Sequence, residues 1–138
     1  MVYDGTQGTA LDRCKFYLDG SLKTHTNTAG TFPTTLPTMT TEEFGLNNYE
    51  DTGASNLAGN MDEVAIFDVA LSSAEVSSLY NSGAPTNVED FSQTPRHYWQ
   101  MGDNGTYGSG IWNIPDVMGN GDMDSTNMEE GDRNLDTP

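Results

Sequence analysis

The alternation of apolar and polar positions predicts a β-hairpin near the start of the chain. Within residues 15–19, Phe16 and Leu18 point to one side of a strand, and the residues beside them point to the other. Asp19-Gly20 follows directly and is a strong signal for a two-residue hairpin turn. The pattern therefore predicts an antiparallel hairpin over residues 2–22.

The strongest local pattern lies further along, where a strand precedes a helix. Residues 61–69 are predicted to form a strand, and apolar side chains on both of its faces favour a covered position. A short helix is predicted to begin after Ser72, because Glu75 stands three residues later and completes a capping box. Gly83 is predicted to close this helix.

The chain is predicted to divide into a strand-rich portion at residues 1–83, a linker at 84–95 and a third segment at 96–138. The third segment starts with two short runs that contain aromatic or apolar residues, 97–101 and 111–114. The remaining residues are acidic and turn-rich. We expect them to form an extended C-terminal arm that becomes ordered on a partner.

The composition is strongly acidic and restricts the partners that the chain would bind. Its 138 residues include 5 Lys+Arg and 21 Asp+Glu, which gives a formal charge of −16 and a pI near 4.1. Phosphate contacts need cations, so this balance argues against nucleic acid and equally against an anionic membrane surface. No run approaches the roughly 18 consecutive apolar residues that a membrane span requires.

The chain is also poor in residues that build a core. Leu, Ile, Val and Phe make up about 17% of it, a share typical of chains that do not fold alone. The single cysteine, Cys14, excludes an internal disulfide. We therefore expect a thin core that depends on bound metal, on neighbouring subunits or on both, and the carboxylates favour calcium. The alternative is that the charge serves only solubility.

Four motifs in this order resemble the second half of a laminin-G-like, concanavalin A-type jelly roll. They are VYDGT at residues 2–6, KFYLDG at 15–20, GNMDEVAIF at 59–67 and ALSSAEVSSLY at 70–80. The resemblance implies an all-β, antiparallel jelly-roll sandwich with one short helix. Members of that family have further strands before the first motif. The chain is therefore expected to be a fragment, to be permuted, or to take the missing strands from elsewhere.

The third segment adds to the resemblance. HYWQMGD at residues 97–103 and DVMGNG at 116–121 are similar to the way such jelly rolls begin. Together with the C-terminal sequence, the chain is similar to virion structural proteins of marine bacteriophages. This resemblance implies a capsid-decorating or tail-associated role at the virion surface, in which sheet edges and the arm contact copies of the chain or other virion proteins.

Asp62 is the leading metal candidate. The resemblance implies that the aspartate before this strand holds a structural Ca²⁺ together with backbone carbonyls, which here would come from residues 99–103. The alternative is that Asp62 caps a turn by accepting bonds from backbone N–H groups. Asn120, Asp122 and Asp124 alternate as in a calcium loop, but the rest of that pattern fails, so a solvated acidic turn is favoured there.

Glycan binding is the second functional hypothesis. Lectin-like folds stack exposed aromatic rings on sugars, and Tyr49, Tyr107 and Trp112 lie in loop-rich segments, with Asn48 and Asp51 available to bond hydroxyls. This hypothesis makes the chain a secreted or extracellular carbohydrate-binding domain with structural calcium, or a virion protein that adheres to host surface glycan. The alternative is that the aromatic side chains pack in the core.

An enzyme is not expected. Glycosidases of this fold carry a Glu-x-Asp-x-x-Glu motif, because glycoside hydrolysis needs paired carboxylates, and the motif does not occur in the sequence. His25 and His97 stand apart from any triad or zinc signature. The sequence therefore predicts a non-enzymatic module.

Overall fold

The computed structural model describes residues 1–26, 30–36, 59–84, 87–125 and 128–133. Within these ranges the strands are β1 Val2–Tyr3, β2 Cys14–Leu18, β3 Ser21–Lys23, β4 Val64–Ile66, β5 His97–Trp99, β6 Thr106–Gly108, β7 Ile111–Ile114 and β8 Met123–Ser125. The helices are α1 Ala10–Arg13 and α2 Ser73–Tyr80, and the 3-10 turns are Asn81–Gly83, Val88–Asp90 and Glu130–Asp132.

The described strands form three small antiparallel sheets. Their orders are β1-β2-β3, β4-β5 and β6-β7-β8. The predicted all-β class is confirmed, and α2 is the only helix longer than one turn in the described part of the chain. Within that part, no helix has the length and apolar character needed to cross a membrane.

The predicted N-terminal hairpin is confirmed. β2 and β3 pair with Leu18 opposite Ser21, and Asp19 (φ 51°) and Gly20 (φ 68°) form the left-handed turn between them. A side chain at Gly20 would come within 2.7 Å of the Tyr80 ring, so glycine also lets α2 lie close to the turn.

Helix α2 begins where the sequence predicts. The Ser72 side chain accepts from Glu75 N (3.2 Å) and the Glu75 carboxylate accepts from Ser72 N (2.7 Å), which completes the capping box. The helix ends at Asn81 (φ 42°) instead of Gly83, because asparagine tolerates the left-handed conformation of a C-cap. A 3-10 turn then reaches Gly83.

The pair β4–β5 joins the first predicted portion to the third. The strand predicted over residues 61–69 is shorter, and its regular part pairs Val64 with Trp99 and Ala65 with Tyr98. The predicted linker contacts the same region, since Val88 is buried and the rings of Phe67 and Phe91 meet edge to face at 5.9 Å.

Residues after β7 fold back, whereas the sequence led us to expect an extended arm. β8 pairs with β7, and Val117 N donates to Tyr98 O at 2.8 Å. The segment is held by the β7–β8 pairing and by hydrogen bonds to the Asp116 carboxylate, which a hydrophobic pattern does not indicate. The last predicted arm residues, 134–138, lie outside the described part.

The core is thin, as expected from the composition. Buried hydrophobic side chains in the described ranges belong to Cys14, Leu71, Val88, Tyr98, Trp99, Trp112 and Ile114. Most of them lie on or beside β5 and β7, so the C-terminal half supplies most of these buried side chains.

We predict that Ser72→Ala lowers the free energy of unfolding by about 1 kcal/mol, because the first turn of α2 loses its side-chain cap. Urea denaturation followed by circular dichroism measures the change. Ser77→Ala is the matched control within the same helix and should be neutral or stabilising by a few tenths of a kcal/mol. Equal losses in both variants would contradict the role of the cap.

Candidate functional site

A groove of about 390 Å³ lies between β4 and α2. Its walls are formed by Asp62, Glu63, Ala65, Phe67, Leu79, Tyr80 and Val88. Glu63, Ala65 and Phe67 belong to the chain segment that contains β4, so this segment forms the floor of the groove. The two carboxylates precede β4 and the phenyl ring follows it.

The carboxylate of Glu63 is tied to the core through Tyr98. The Tyr98 hydroxyl donates to Glu63 Oε2, and Tyr98 is fully buried. Burial raises the pKa of the Glu63 carboxyl, the bond from Tyr98 lowers it in part, and the neighbouring charges of Asp62, Asp103 and Glu89 raise it further. Glu63 is therefore a carboxylate that is costly to ionise.

Burial also raises the pKa of Tyr98 well above its usual range, and the bond to Glu63 adds to this shift. The tyrosine consequently remains a hydrogen-bond donor at any physiological pH. Glu63 itself adopts a left-handed backbone conformation (φ 52°), which is uncommon for a residue with a side chain. The residue before β4 thus has an unusual backbone conformation and a carboxylate held by Tyr98.

Asp62 is exposed, and its Oδ1 accepts from Glu63 N at 2.9 Å. This bond matches the turn-capping alternative. The β4–β5 register pairs Val64, two residues after Asp62, with Trp99, the first residue of the segment from which carbonyl ligands for calcium were expected. In the described ranges no three His, Cys, Asp or Glu side chains come together as a metal cluster, so any co-ligands would be mainly backbone oxygens.

The three alternating polar residues near the C-terminus serve the loop itself. Asn120 Nδ2 donates to Arg96 O (2.8 Å), Asp122 Oδ1 accepts from Asp116 N (2.9 Å), and Asp124 Oδ1 accepts from Asn113 Nδ2 (3.1 Å). Each side chain has a separate partner. The arrangement agrees with an acidic turn.

The residue that organises this loop is Asp116. Its buried carboxylate accepts from Tyr98 N (2.9 Å), Met118 N (2.9 Å), Asn120 N (3.1 Å) and the His97 ring nitrogen (2.8 Å). Burial alone raises the pKa of Asp116, but these donors, led by Tyr98 N and the His97 ring, outweigh it and hold the pKa below its usual value.

His97 and Trp99 continue the network on β5. Their rings stack at 5.2 Å with an interplanar angle of 6°, and the Trp99 indole N–H donates to Gly121 O at 2.9 Å. The loop after Asp116 is thereby attached to both ends of β5.

Two of the aromatic glycan candidates lie together. Trp112 is 6% exposed, its indole N–H donates to Glu129 O at 2.9 Å, and its ring lies 5.4 Å from that of Tyr107. Trp112 is therefore a packing residue in this structure, and Tyr107 keeps only part of its ring exposed. The other candidates, Tyr49, Asn48 and Asp51, lie outside the described residues.

Sequence reasoning missed Glu63, Tyr98 and Asp116 as members of networks. Glu63 and Tyr98 are 35 positions apart, and only the strand pairing brings them together. Asp116 could have been noticed as the first residue of DVMGNG, since aspartate followed by glycine and asparagine often bonds its own loop.

The small antiparallel sheets, the capped helix and the β4–β5 pair make up an all-β domain. A family profile described as the Concanavalin A-like lectin/glucanases superfamily, of the laminin G type, matches residues 1–77. The chain belongs to this superfamily. The match includes Asp62 and Glu63, whereas β5 and Asp116 lie beyond it. No curated protein and no solved structure matches the chain.

We predict that Asp116→Asn destabilises the fold by about 2–3 kcal/mol at neutral pH. The NH2 group of the asparagine would face N–H groups that donate to the carboxylate in the wild type, so some of these donors would lose their acceptor. The contribution of the Asp116 carboxylate to the free energy of unfolding is fully present above the unfolded-state pKa of about 3.8. It is lost as pH falls through the lower folded-state pKa. The difference between wild type and variant should therefore shrink below about pH 4. Unfolding free energies across this range measure it.

Asp124→Asn is the control, because Asp124 is exposed and bonds only a surface amide. Its effect should stay within about 0.5 kcal/mol at every pH. A wild-type to Asp116→Asn difference that does not change between neutral and acidic pH would contradict the assigned network.

Proposed function

We propose that the chain is a non-enzymatic virion structural module, built on a lectin-like fold, that decorates a capsid or associates with a tail. The observation that carries this proposal is the apolar surface of the N-terminal sheet. Phe16 and Leu18 lie on one face of β2 and are 39% and 61% exposed, whereas Leu22, which pairs with Tyr17, lies on the other face of the sheet and is 56% exposed. Exposed apolar groups on a short, narrow sheet favour contact with another protein.

Sheet edges support the same proposal. Among the described strands, β1 and β3 are edges of their sheet and β4 pairs on one side only, whereas the other side of β5 is covered by the loop that contains Asp116. Unpaired edges accept a strand from another chain. Copies of this chain or other virion proteins would supply such a strand. The contact would also bury Leu18 and so add to a core that is thin by itself.

A non-enzymatic role agrees with the carboxylates. Asp62 and Glu63 are consecutive, and Glu63 is engaged by Tyr98. Hydrolysis of a glycoside needs two carboxyl groups placed across the scissile bond with distinct acid and base roles. The sequence lacks the catalytic motif of the glycosidases that share this fold.

We predict that Leu18→Lys abolishes self-association or weakens it at least about tenfold, because a charge at the centre of an apolar contact must be desolvated. Sedimentation velocity at about 0.3 M salt measures it, since that salt screens repulsion between the acidic chains. The position is exposed, so the free energy of unfolding should stay within about 0.5 kcal/mol of the wild-type value.

Val69→Lys is the control with the same added charge at an exposed position outside the N-terminal sheet, and it should associate as wild type does.

Mass spectrometry of purified virus-sized particles from the source culture tests whether the chain is part of a virion. A strictly monomeric wild-type chain that is missing from such particles would defeat the proposal.

A second candidate is an extracellular carbohydrate-binding domain with structural calcium. It is favoured by the superfamily, which includes lectins, and by the β4–β5 register, which pairs Val64, two residues after Asp62, with Trp99. Host surface glycan would be the ligand, with Tyr107 and Tyr49 as aromatic candidates. The two roles are compatible on one virion surface.

We predict that calcium raises the melting temperature of the chain and that Asp62→Asn removes this shift, because a ligand selective for the folded state stabilises it. Differential scanning fluorimetry with calcium and with chelator measures it. Asp124→Asn serves as the control. Unchanged melting temperatures in chelator would exclude structural calcium, and silence of the chain on a broad glycan array would remove the second candidate.

A further inference from the structure

The groove beside α2 changes character along its length. It starts at the carboxylates of Asp62 and Glu63, continues over Ala65 and ends at Phe67. The anionic end therefore precedes β4 and the aromatic end follows it. Leu79, Tyr80 and Val88 form apolar walls along this path. The groove therefore suits an elongated ligand that is charged at one end only.

The charge at the anionic end calls for a cation. Glu63 is partly dehydrated and lies within the field of Asp62, Asp103 and Glu89. Among the described residues that line the groove none is basic. A positive group placed between Asp62 and Glu63 would relieve their mutual repulsion and would recover solvation that Glu63 has lost.

The available oxygens favour an ammonium group over a guanidinium. The Tyr98 hydroxyl already donates to Glu63 Oε2, which makes a fork from a guanidinium to both oxygens of Glu63 harder to form than a single bond to Oε1. An ammonium donates three separate bonds and sits on an unbranched apolar stem. The stem of a lysine would lie over Ala65 and against Leu79, as long basic side chains do on apolar surfaces.

A basic group of another protein fits this end of the groove better than a second copy of the chain. The chain carries a formal charge of −16 with only 5 Lys+Arg, so the anionic ends of two copies would repel each other. A basic partner is attracted by the same field and is steered towards it at low salt.

We propose that this groove binds a lysine side chain, together with an adjacent apolar side chain, from a basic partner protein. The ammonium lies between Asp62 and Glu63, and the apolar neighbour lies against Phe67 and Tyr80. Neither candidate function specifies a partner of this chemistry. The groove lies beside α2, whereas Phe16 and Leu18 lie on the face of β2 opposite Tyr17, which contacts α2 through Ser73.

The test uses the full chain and the peptide acetyl-Gly-Leu-Lys-Leu-Gly-amide, followed by NMR. Saturable shifts are expected at Ala65, Leu79 and Val88. A peptide with norleucine in place of lysine should bind at least about tenfold more weakly, because it keeps the stem and loses the charge. Binding should also weaken as salt rises from about 0.05 M to about 0.3 M.

Two variants locate the ammonium. Glu63→Gln keeps an acceptor for Tyr98 and should weaken the lysine peptide about tenfold, and Asp62→Asn, at an exposed position, should weaken it several-fold. The affinity of the norleucine peptide should be the same in both variants as in the wild type. Glu130→Gln is the control, since Glu130 is an exposed carboxylate that does not line the groove.

Equal binding of the lysine and norleucine peptides would overturn the proposal, and so would unchanged binding in both groove variants. Calcium-induced shifts at Asp62 and Glu63 without any response to the peptide would also overturn it, in favour of a metal site. These results are independent of the self-association and particle measurements, so either proposal can fail alone.

Discussion

The carboxylate of Asp116 stands among four N–H donors, three from the backbone and one from the His97 ring. A buried anion without these donors would cost several kcal/mol, so the loop after β7 and the strand β5 have to keep their mutual position. This constraint replaces the apolar packing that the chain lacks. It explains how an acidic segment with few core residues becomes part of the folded body.

The groove depends indirectly on the same constraint, because the Asp116 loop holds β5 and β5 pairs with β4. β5 is held from one side by the Asp116 loop and pairs on the other with β4, so the Tyr98 hydroxyl meets Glu63 at a fixed place. The acidic end of the groove is therefore positioned by the C-terminal half, although its carboxylates belong to the N-terminal half. The family match ends at residue 77, before β5, so the supporting strand lies outside the matched part.

Local features of the fold were predictable because their causes are local. The Asp19-Gly20 turn and the Ser72 cap each depend on residues within four positions of one another. Glu63 and Tyr98 form a pair only through strand register, and the burial of Asp116 is satisfied by hydrogen-bond donors that a hydrophobic pattern does not register. The same limit applied to the aromatic candidates, since the sequence does not tell a buried indole from an exposed one.

Cys14 sits at the start of β2, is 2% exposed, and has a thiol whose pKa is raised by burial. Because the thiolate is the reactive form, alkylating and oxidising reagents would reach this sulfur only when the N-terminal sheet opens. Disulfide cross-linking of neighbouring chains through Cys14 is thus disfavoured in the native state. The rate of thiol modification consequently reports how often the N-terminal sheet opens.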